Sequence, residues 1–125
     1  MASAPDNVHF TGYISGDDYW NQLNASNAIM TLTTEPYSLV SGGVEAMAMH
    51  KPIILSRQPA LVDYFSKGTT FVDHTVESMV AGIQQTKDQE STLKRDVALL
   101  AKEKQERWHQ EFQKMLDMIG ERRAK

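Results

Sequence analysis

The chain has 125 residues, of which 41% are hydrophobic and 23% charged, the composition of one ordinary globular domain. It has no cysteine, which excludes disulfides and thiolate metal sites, and its net charge of −3 gives no indication of nucleic-acid binding. No apolar run approaches the roughly 20 residues of a membrane span. Residues 1–6 lack a secretory signal pattern and are expected to be disordered or tag-like. These features are compatible with a reducing cytoplasm, where we expect the protein to work.

The charges are unevenly distributed along the chain. Residues 1–86 carry three basic and eight acidic side chains, a net charge of −5. Residues 87–125 carry ten basic and eight acidic side chains, a net charge of +2. The strand-like part of the chain is therefore acidic, whereas the last part has the pattern of a mixed-charge helix.

Strand patterns alternate with helix patterns from one end of the chain to the other. Short runs of apolar and β-branched residues predict four strands: 7–14, 28–33, 52–56 and 69–73. Apolar residues at helical spacing predict five helices: 15–26, 43–50, 60–65, 75–88 and 91–123. This alternation predicts a single α/β domain over 1–125, a Rossmann-like parallel sheet of about four strands with helices on both faces and a long C-terminal helix.

The candidate site lies where the loop 34–43 meets the next helix. In open α/β sheets ligands bind at the carboxyl ends of the strands, which is where this loop begins. A helix N-terminus attracts phosphate through free N–H groups, and Gly42 and Gly43 have no side chain to keep an anion away. Glu45 lies near the same end, and its carboxylate is a good acceptor for paired sugar hydroxyls. This combination would suit a nucleotide-sugar.

The same residues have a second interpretation that involves no ligand. Two glycines before a helix are also typical of a simple turn that binds nothing. A glutamate in the first helical turn is favoured by capping and by the helix dipole alone. Considered by itself, the local chemistry favours the turn over the binding site.

Residues 7–86 resemble the donor-binding half of GT-B-fold glycosyltransferases, especially retaining enzymes that use nucleotide-sugars. Five segments carry this resemblance in the family's order and spacing: NVHFTGYIS, AIMTLT, GGVEAMAMHKPIILS, LVDYFSKGTTFVD and TVESMVAGI. The resemblance implies a partial Rossmann-like donor-binding lobe over 7–88, followed by a long helix over 91–123.

The resemblance also implies roles for individual residues. Glu45 matches the glutamate that holds the ribose hydroxyls. Backbone groups that bind the diphosphate and the sugar match five residues here: Ser38, Leu39, Ser41, Gly42 and Gly43. The nucleobase would lie beside three others: Gly12, Tyr13 and Ile14. The nucleotide-sugar would be a donor substrate, and no cofactor, metal ligand or catalytic residue is expected in this chain.

The sequence departs from the family pattern at two positions. Tyr37 stands where the family often has a second glutamate, which removes the usual contact to the donor hexose. His50 stands where a glycine is usual. The segments SGGVEA and KPIILSR also resemble those of nucleotide-sugar 2-epimerases, so a fragment of such an enzyme is an alternative.

A complete enzyme of this fold has two lobes. The first lobe, which binds the acceptor and makes most catalytic contacts, has no counterpart in the sequence. The resemblance also implies two further strands of the donor lobe before residue 7. We therefore interpret the chain as part of an enzyme, either an excised piece or a truncated natural gene, that is inactive alone and has the missing N-terminal lobe as a partner.

In the family's sheet, the two implied strands would lie between 7–14 and 28–33. A gap of about 10 Å cannot stay open, because both facing edges would expose unpaired backbone groups. We expect 7–14 to pair directly with 28–33, so that the four strands follow one another in chain order. A homodimer is expected through the remaining edge or the apolar face of the last helix.

A non-catalytic interaction or assembly module with a vestigial site is the second hypothesis. Tyr37 and the absent strands favour it, whereas Gly42, Gly43 and Glu45 favour donor binding. A metal site has little support, because the four histidines lack ligand spacing. The acidic pair at 17–18 resembles the Mg²⁺-binding pair of receiver domains. That interpretation has little support, because the strand over 28–33 ends in threonine where a receiver has its phosphoacceptor aspartate. The basic end GERRAK is expected to be a solvated helix end rather than a contact with a membrane surface.

Overall fold

The computed structural model describes residues 5–124, with side chains as far as Gly120, and it is an α/β domain. Its helices are α1 (Asp17–Ala25), α2 (Ser41–Ala48), α3 (Pro59–Tyr64), α4 (Val76–Asp88) and α5 (Glu90–Ala124). Its strands are β1 (Ile29–Thr31), β2 (Ile53–Ser56) and β3 (Thr69–Val72). The expectations for residues 1–4 and for the basic side chains at the C-terminus lie outside the described residues.

The three strands form one parallel sheet in the order β1-β2-β3. Ile53 in the central strand pairs with Ile29 on one side and with Thr69 on the other. Every residue of β2 is buried, as expected for a short apolar strand covered on both faces. The predicted parallel sheet and its chain-order topology are confirmed for these three strands.

The predicted strand over 7–14 is wrong. Residues 7–14 belong to no strand, and the side chains of Val8 and Phe10 are 45% and 75% exposed. The N–H of Val8 instead donates to the carbonyl of Pro5 in a local turn at 2.9 Å. β1 has only three residues, so it offers few ladder hydrogen bonds to offset the entropy of ordering another strand. The predicted pairing of 7–14 with 28–33 is therefore absent, and β1 is an edge strand.

The main core lies between one face of the sheet and the helices α2, α3 and α5. Ile53 and Leu55 point to this face from β2 and are fully buried. Five residues from the three helices and Phe65, which directly follows α3, pack around them: Ala46, Met47, Leu61, Val97 and Leu100 are the helical ones. Burying each large apolar side chain contributes roughly 1.5–3 kcal/mol, so this cluster supplies most of the stability of the layer.

The opposite face of the sheet is covered by α4. A Cβ added at Gly82 would lie 2.3 Å from Cγ1 of Val72, so this glycine allows the close crossing of α4 over β3. The Thr86 hydroxyl donates to Oγ1 of Thr70 at 2.9 Å inside the same contact. Helices thus lie on both faces, as predicted, although Met30 on the edge strand stays 36% exposed.

The C-terminal helix α5 has 35 residues, which gives it a length of about 52 Å. Its first part packs on the layer through Leu93, Val97 and Leu100. From residue 105 to residue 120 every side chain is exposed. The long predicted helix is confirmed, and its second half extends away from the body. No helix in the described part of the chain is both long and apolar enough to cross a membrane.

Candidate functional site

The first turn of α2 presents backbone N–H groups just beyond the carboxyl end of β1. Val40 is the N-cap residue, and its carbonyl accepts from the N–H of Gly43 at 3.1 Å and of Val44 at 3.3 Å. The N–H groups of Ser41 and Gly42 have no acceptor among the described residues. These two groups and the positive end of the helix dipole can accept an anion.

Gly42 and Gly43 place this turn close to the sheet. A Cβ added at Gly42 would lie 2.0 Å from Oγ1 of Thr31, and one added at Gly43 would lie 2.9 Å from Cζ of Phe65. The open sides of both glycines therefore face β1 and the core. Close packing of α2 explains the glycine pair without a ligand, and the same packing holds the free N–H groups at the end of the strand.

Glu45 follows at the start of the second turn of α2 and is half-buried. The hydroxyl of Tyr19 in α1 donates to Oε2 of Glu45 at 2.5 Å. This hydrogen bond raises the pKa of the Tyr19 phenol, with smaller contributions from burial and from the negative charge of Glu45. The carboxylate that the sequence assigns to a ribose is therefore occupied by a tyrosine in the folded chain.

The three residues assigned to the nucleobase line a shallow cleft of about 310 Å³ next to α1. Its walls also include Tyr19 and three further residues: Thr11, Gln22 and Leu23. The ring of Tyr13 is 93% exposed, and Gly12 adopts a φ of +66° that favours glycine. The volume is at the small end of ligand-binding clefts. The structure thus connects Gly12, Tyr13 and Ile14 to Glu45 through one shared side chain, Tyr19.

The loop before α2 is anchored at its start and open at its end. The N–H of Glu35 donates to Oγ1 of Thr33, and the carbonyl of Pro36 accepts from the N–H of Ala60 at the start of α3. Ser38 and Leu39 follow with exposed side chains. They lie on the approach to α2, at the same end of the sheet as the free N–H groups.

A polar cluster at the carboxyl ends of β2 and β3 was not predicted from the sequence. Oγ of the buried Ser56 accepts from the N–H of Thr33 at 2.8 Å and lies 2.7 Å from Nε2 of His74. Arg57 and Asp73 form an exposed ion pair, Nε to Oδ1, at 3.5 Å beside them. Each of these residues lies at or just beyond the end of a strand. That position is the feature of the sequence from which the cluster could have been predicted. Among the described residues, no three acidic or histidine side chains could together hold a metal ion.

An open parallel sheet with helices on both faces defines the class of layered α/β domains. A protein-family model described as "Glycosyl transferases group 1" matches residues 2–115. Because this match spans all but the first residue and the last ten, the chain belongs to the group 1 glycosyltransferase family. The resemblance seen in the sequence is thereby confirmed. No curated protein and no solved structure matches the chain.

Proposed function

We propose that this chain is the donor-binding part of a group 1 glycosyltransferase. It would bind the nucleoside diphosphate of a nucleotide-sugar whose sugar is transferred to an acceptor. One observation carries the proposal: the unpaired N–H groups of Ser41 and Gly42 lie at the start of α2, beyond the carboxyl end of β1, and Glu45 follows three residues later on the same helix. Membership of the group 1 glycosyltransferase family supports this assignment.

The diphosphate would lie at the start of α2. Ser41 and Gly42 would donate their free N–H groups to it, and Gly43 would keep the turn against Phe65. The exposed Ser38 and Leu39 would border the sugar. The glycine contacts with the sheet support this role because they fix the direction in which the N–H groups point.

The nucleoside would extend from α2 toward the N-terminal segment. Glu45 would accept hydrogen bonds from the ribose hydroxyls, for which a carboxylate has two oxygens available. The base would lie in the cleft beside Gly12 and Ile14, where the exposed ring of Tyr13 could stack on it.

We propose that the chain needs a second, acceptor-binding lobe for turnover and works with it in the cytoplasm. All the proposed donor contacts come from one lobe, and those of the facing lobe would be additional. Loss of one buried charged contact typically weakens binding by ~2–5 kcal/mol, so a micromolar site would become millimolar without the second lobe. Family membership favours a transferase over the 2-epimerase alternative.

Titration with UDP-, GDP- and ADP-glucose, followed by amide NMR, tests the proposal. We expect weak binding that shifts the amide signals of residues 41–43 and that falls about tenfold or more in Glu45→Gln. Glu35→Gln is the matched control, because Glu35 is an exposed glutamate on the preceding loop. Binding that survives Glu45→Gln would contradict the ribose role, and the absence of any shift with all three sugars would contradict donor binding.

A homodimeric assembly module is the second candidate function, and the exposed half of α5 favours it. Six large apolar side chains occupy this half, each at least 39% exposed: Trp108, Phe112, Met115, Leu116, Met118 and Ile119. The rings of Trp108 and Phe112 already stack on each other, with centroids 5.0 Å apart. A lipid-binding helix would have a polar face rich in lysine and arginine, whereas the charges over 105–120 have mixed signs. We therefore propose a second copy of the chain as the partner.

A further inference from the structure

Tyr19 lies between the two halves of the candidate site. Its side chain lines the cleft beside Gly12–Ile14, and its hydroxyl donates to Oε2 of Glu45. A nucleotide with its base in that cleft and its ribose on Glu45 would have to run past this side chain. The bond between Tyr19 and Glu45 therefore crosses the path that joins base and ribose.

The phenol hydroxyl has the same hydrogen-bonding chemistry as a sugar hydroxyl. Each donates one O–H to the carboxylate, and two neighbouring ribose hydroxyls would need both of its oxygens. With Tyr19 in place, one oxygen is engaged at 2.5 Å, and the Tyr19 side chain lines the adjacent cleft. The raised pKa of the phenol agrees with a strong bond to an acceptor that a ligand would otherwise use.

We propose that Tyr19 is an internal competitor for the nucleotide: its hydroxyl occupies Glu45 in the empty site and must leave before the ribose binds. This inference rests on the proposed function, because it gives Glu45 the same role. Tyr19 would thereby set the affinity and select for ligands that offer two hydroxyls to the carboxylate.

The helix that carries Tyr19 is loosely packed, which suits such a displacement. No residue of α1 is fully buried, and its N-cap residue, Gly16, has no side chain that could cap the helix. Gly12 and Gly16 both have positive φ values and lie on either side of the short connection into the helix. Releasing Tyr19 therefore exposes little apolar surface, and the connection tolerates the change in backbone direction.

The experiment compares the nucleotide affinity of wild type with that of four variants: Tyr19→Phe, Tyr64→Phe, Glu45→Gln and the combination of Tyr19→Phe with Glu45→Gln. Each is titrated with UDP-, GDP- and ADP-glucose by the same NMR method. Tyr19→Phe keeps the ring and removes only the competing hydroxyl, so we expect affinity to rise about threefold to tenfold. Tyr64→Phe is the matched control, since Tyr64 is a partly buried tyrosine at the end of α3 that does not line the cleft, and it should leave affinity unchanged. In a protein that already carries Glu45→Gln, adding Tyr19→Phe should give no gain in affinity. A tyrosine with a purely structural role would have the same effect in both backgrounds.

The outcomes separate this inference from the proposed function. If wild type binds, Glu45→Gln binds more weakly and Tyr19→Phe binds equally or more weakly, Tyr19 is not a competitor and the inference is overturned alone. If neither wild type nor Tyr19→Phe binds any of the three sugars, the proposed function itself is overturned. A gain in Tyr19→Phe that persists without Glu45 also overturns the inference, because the competition would then not involve the carboxylate.

Discussion

The middle of the chain and its two ends differ in how they are held. Residues 29–104 form a packed layer in which β2 is buried throughout. The N-terminal segment 5–25 has no fully buried residue, and α5 is exposed over 105–120. Half of the candidate site lies in the layer, on α2, and half lies on the N-terminal segment. The layer can therefore hold the first turn of α2, which we propose as the phosphate site, rigidly. The parts assigned to the base and to dimerisation depend on elements that pack weakly.

The largest expected effect is the loss of stability when a phenylalanine is truncated in the layer rather than in the N-terminal segment. Phe65→Ala should lower the free energy of unfolding by about 3–5 kcal/mol, because Phe65 is fully buried and supports the start of α2 at Gly43. Phe10→Ala removes the same side chain at a position that is 75% exposed and should change stability by about 0.5 kcal/mol or less. Urea denaturation of both variants provides the comparison.

If Phe65→Ala does not fold, Phe65→Leu keeps the measurement possible, because it retains a large apolar side chain. A loss in Phe10→Ala as large as that in the Phe65 variant would show that the N-terminal segment is packed as tightly as the layer. The contrast between the two regions would then be wrong.

The sequence predicted the elements of the layer because burial leaves a local signal there. The strands over 28–33, 52–56 and 69–73 were recognised as apolar runs, and the structure only shortens them at their ends. The strand over 7–14 failed because alternating apolar residues show that a segment could pair, without showing that a long enough partner exists. In the chain the available edge, β1, has only three residues.

The positions of the candidate residues were predictable for the same reason, whereas their binding role stays a prediction. The local order of strand, loop and helix indicates a helix after β1 that carries Glu45, although α2 begins at Ser41 rather than at residue 43. The bond from Tyr19 to Glu45 joins positions 26 residues apart, and Tyr19 fits equally well as part of the apolar stripe of α1. The pair of Ser56 and His74 also forms only when two strand ends meet. Such contacts depend on tertiary packing, which a linear pattern does not contain.

A smaller effect is expected at the other end of the chain. If the exposed half of α5 pairs with a second copy, Phe112→Lys should weaken self-association by about tenfold or more, since it places a charge in an apolar contact. Gln113→Lys, one position further along, adds the same charge at a polar position and serves as the control. Sedimentation equilibrium over a range of concentrations measures both.

The stability of the monomer should change by about 0.5 kcal/mol or less in either α5 variant, because every residue over 105–120 is exposed. A wild-type mass that stays monomeric at high concentration would contradict the homodimer. It would leave the exposed apolar residues of α5 to a different partner, such as the second lobe.

The smallest expected effect concerns the contact that ties the loosely packed α1 to the layer. The hydrogen bond to Glu45 raises the pKa of Tyr19 above its usual value of about 10, so the bond stabilises the fold fully below pH 10. This contribution is lost as the pH rises through the raised pKa, because the ionised phenol can no longer donate and is repelled by the carboxylate.

The difference in urea midpoint between wild type and Tyr19→Phe should therefore shrink between pH 8 and pH 11. Comparing the two proteins at each pH cancels every effect that does not involve the Tyr19 hydroxyl. The change should be small because the pair is only half-buried, and a difference that stays constant with pH would show that the bond does not hold α1 to the layer in solution.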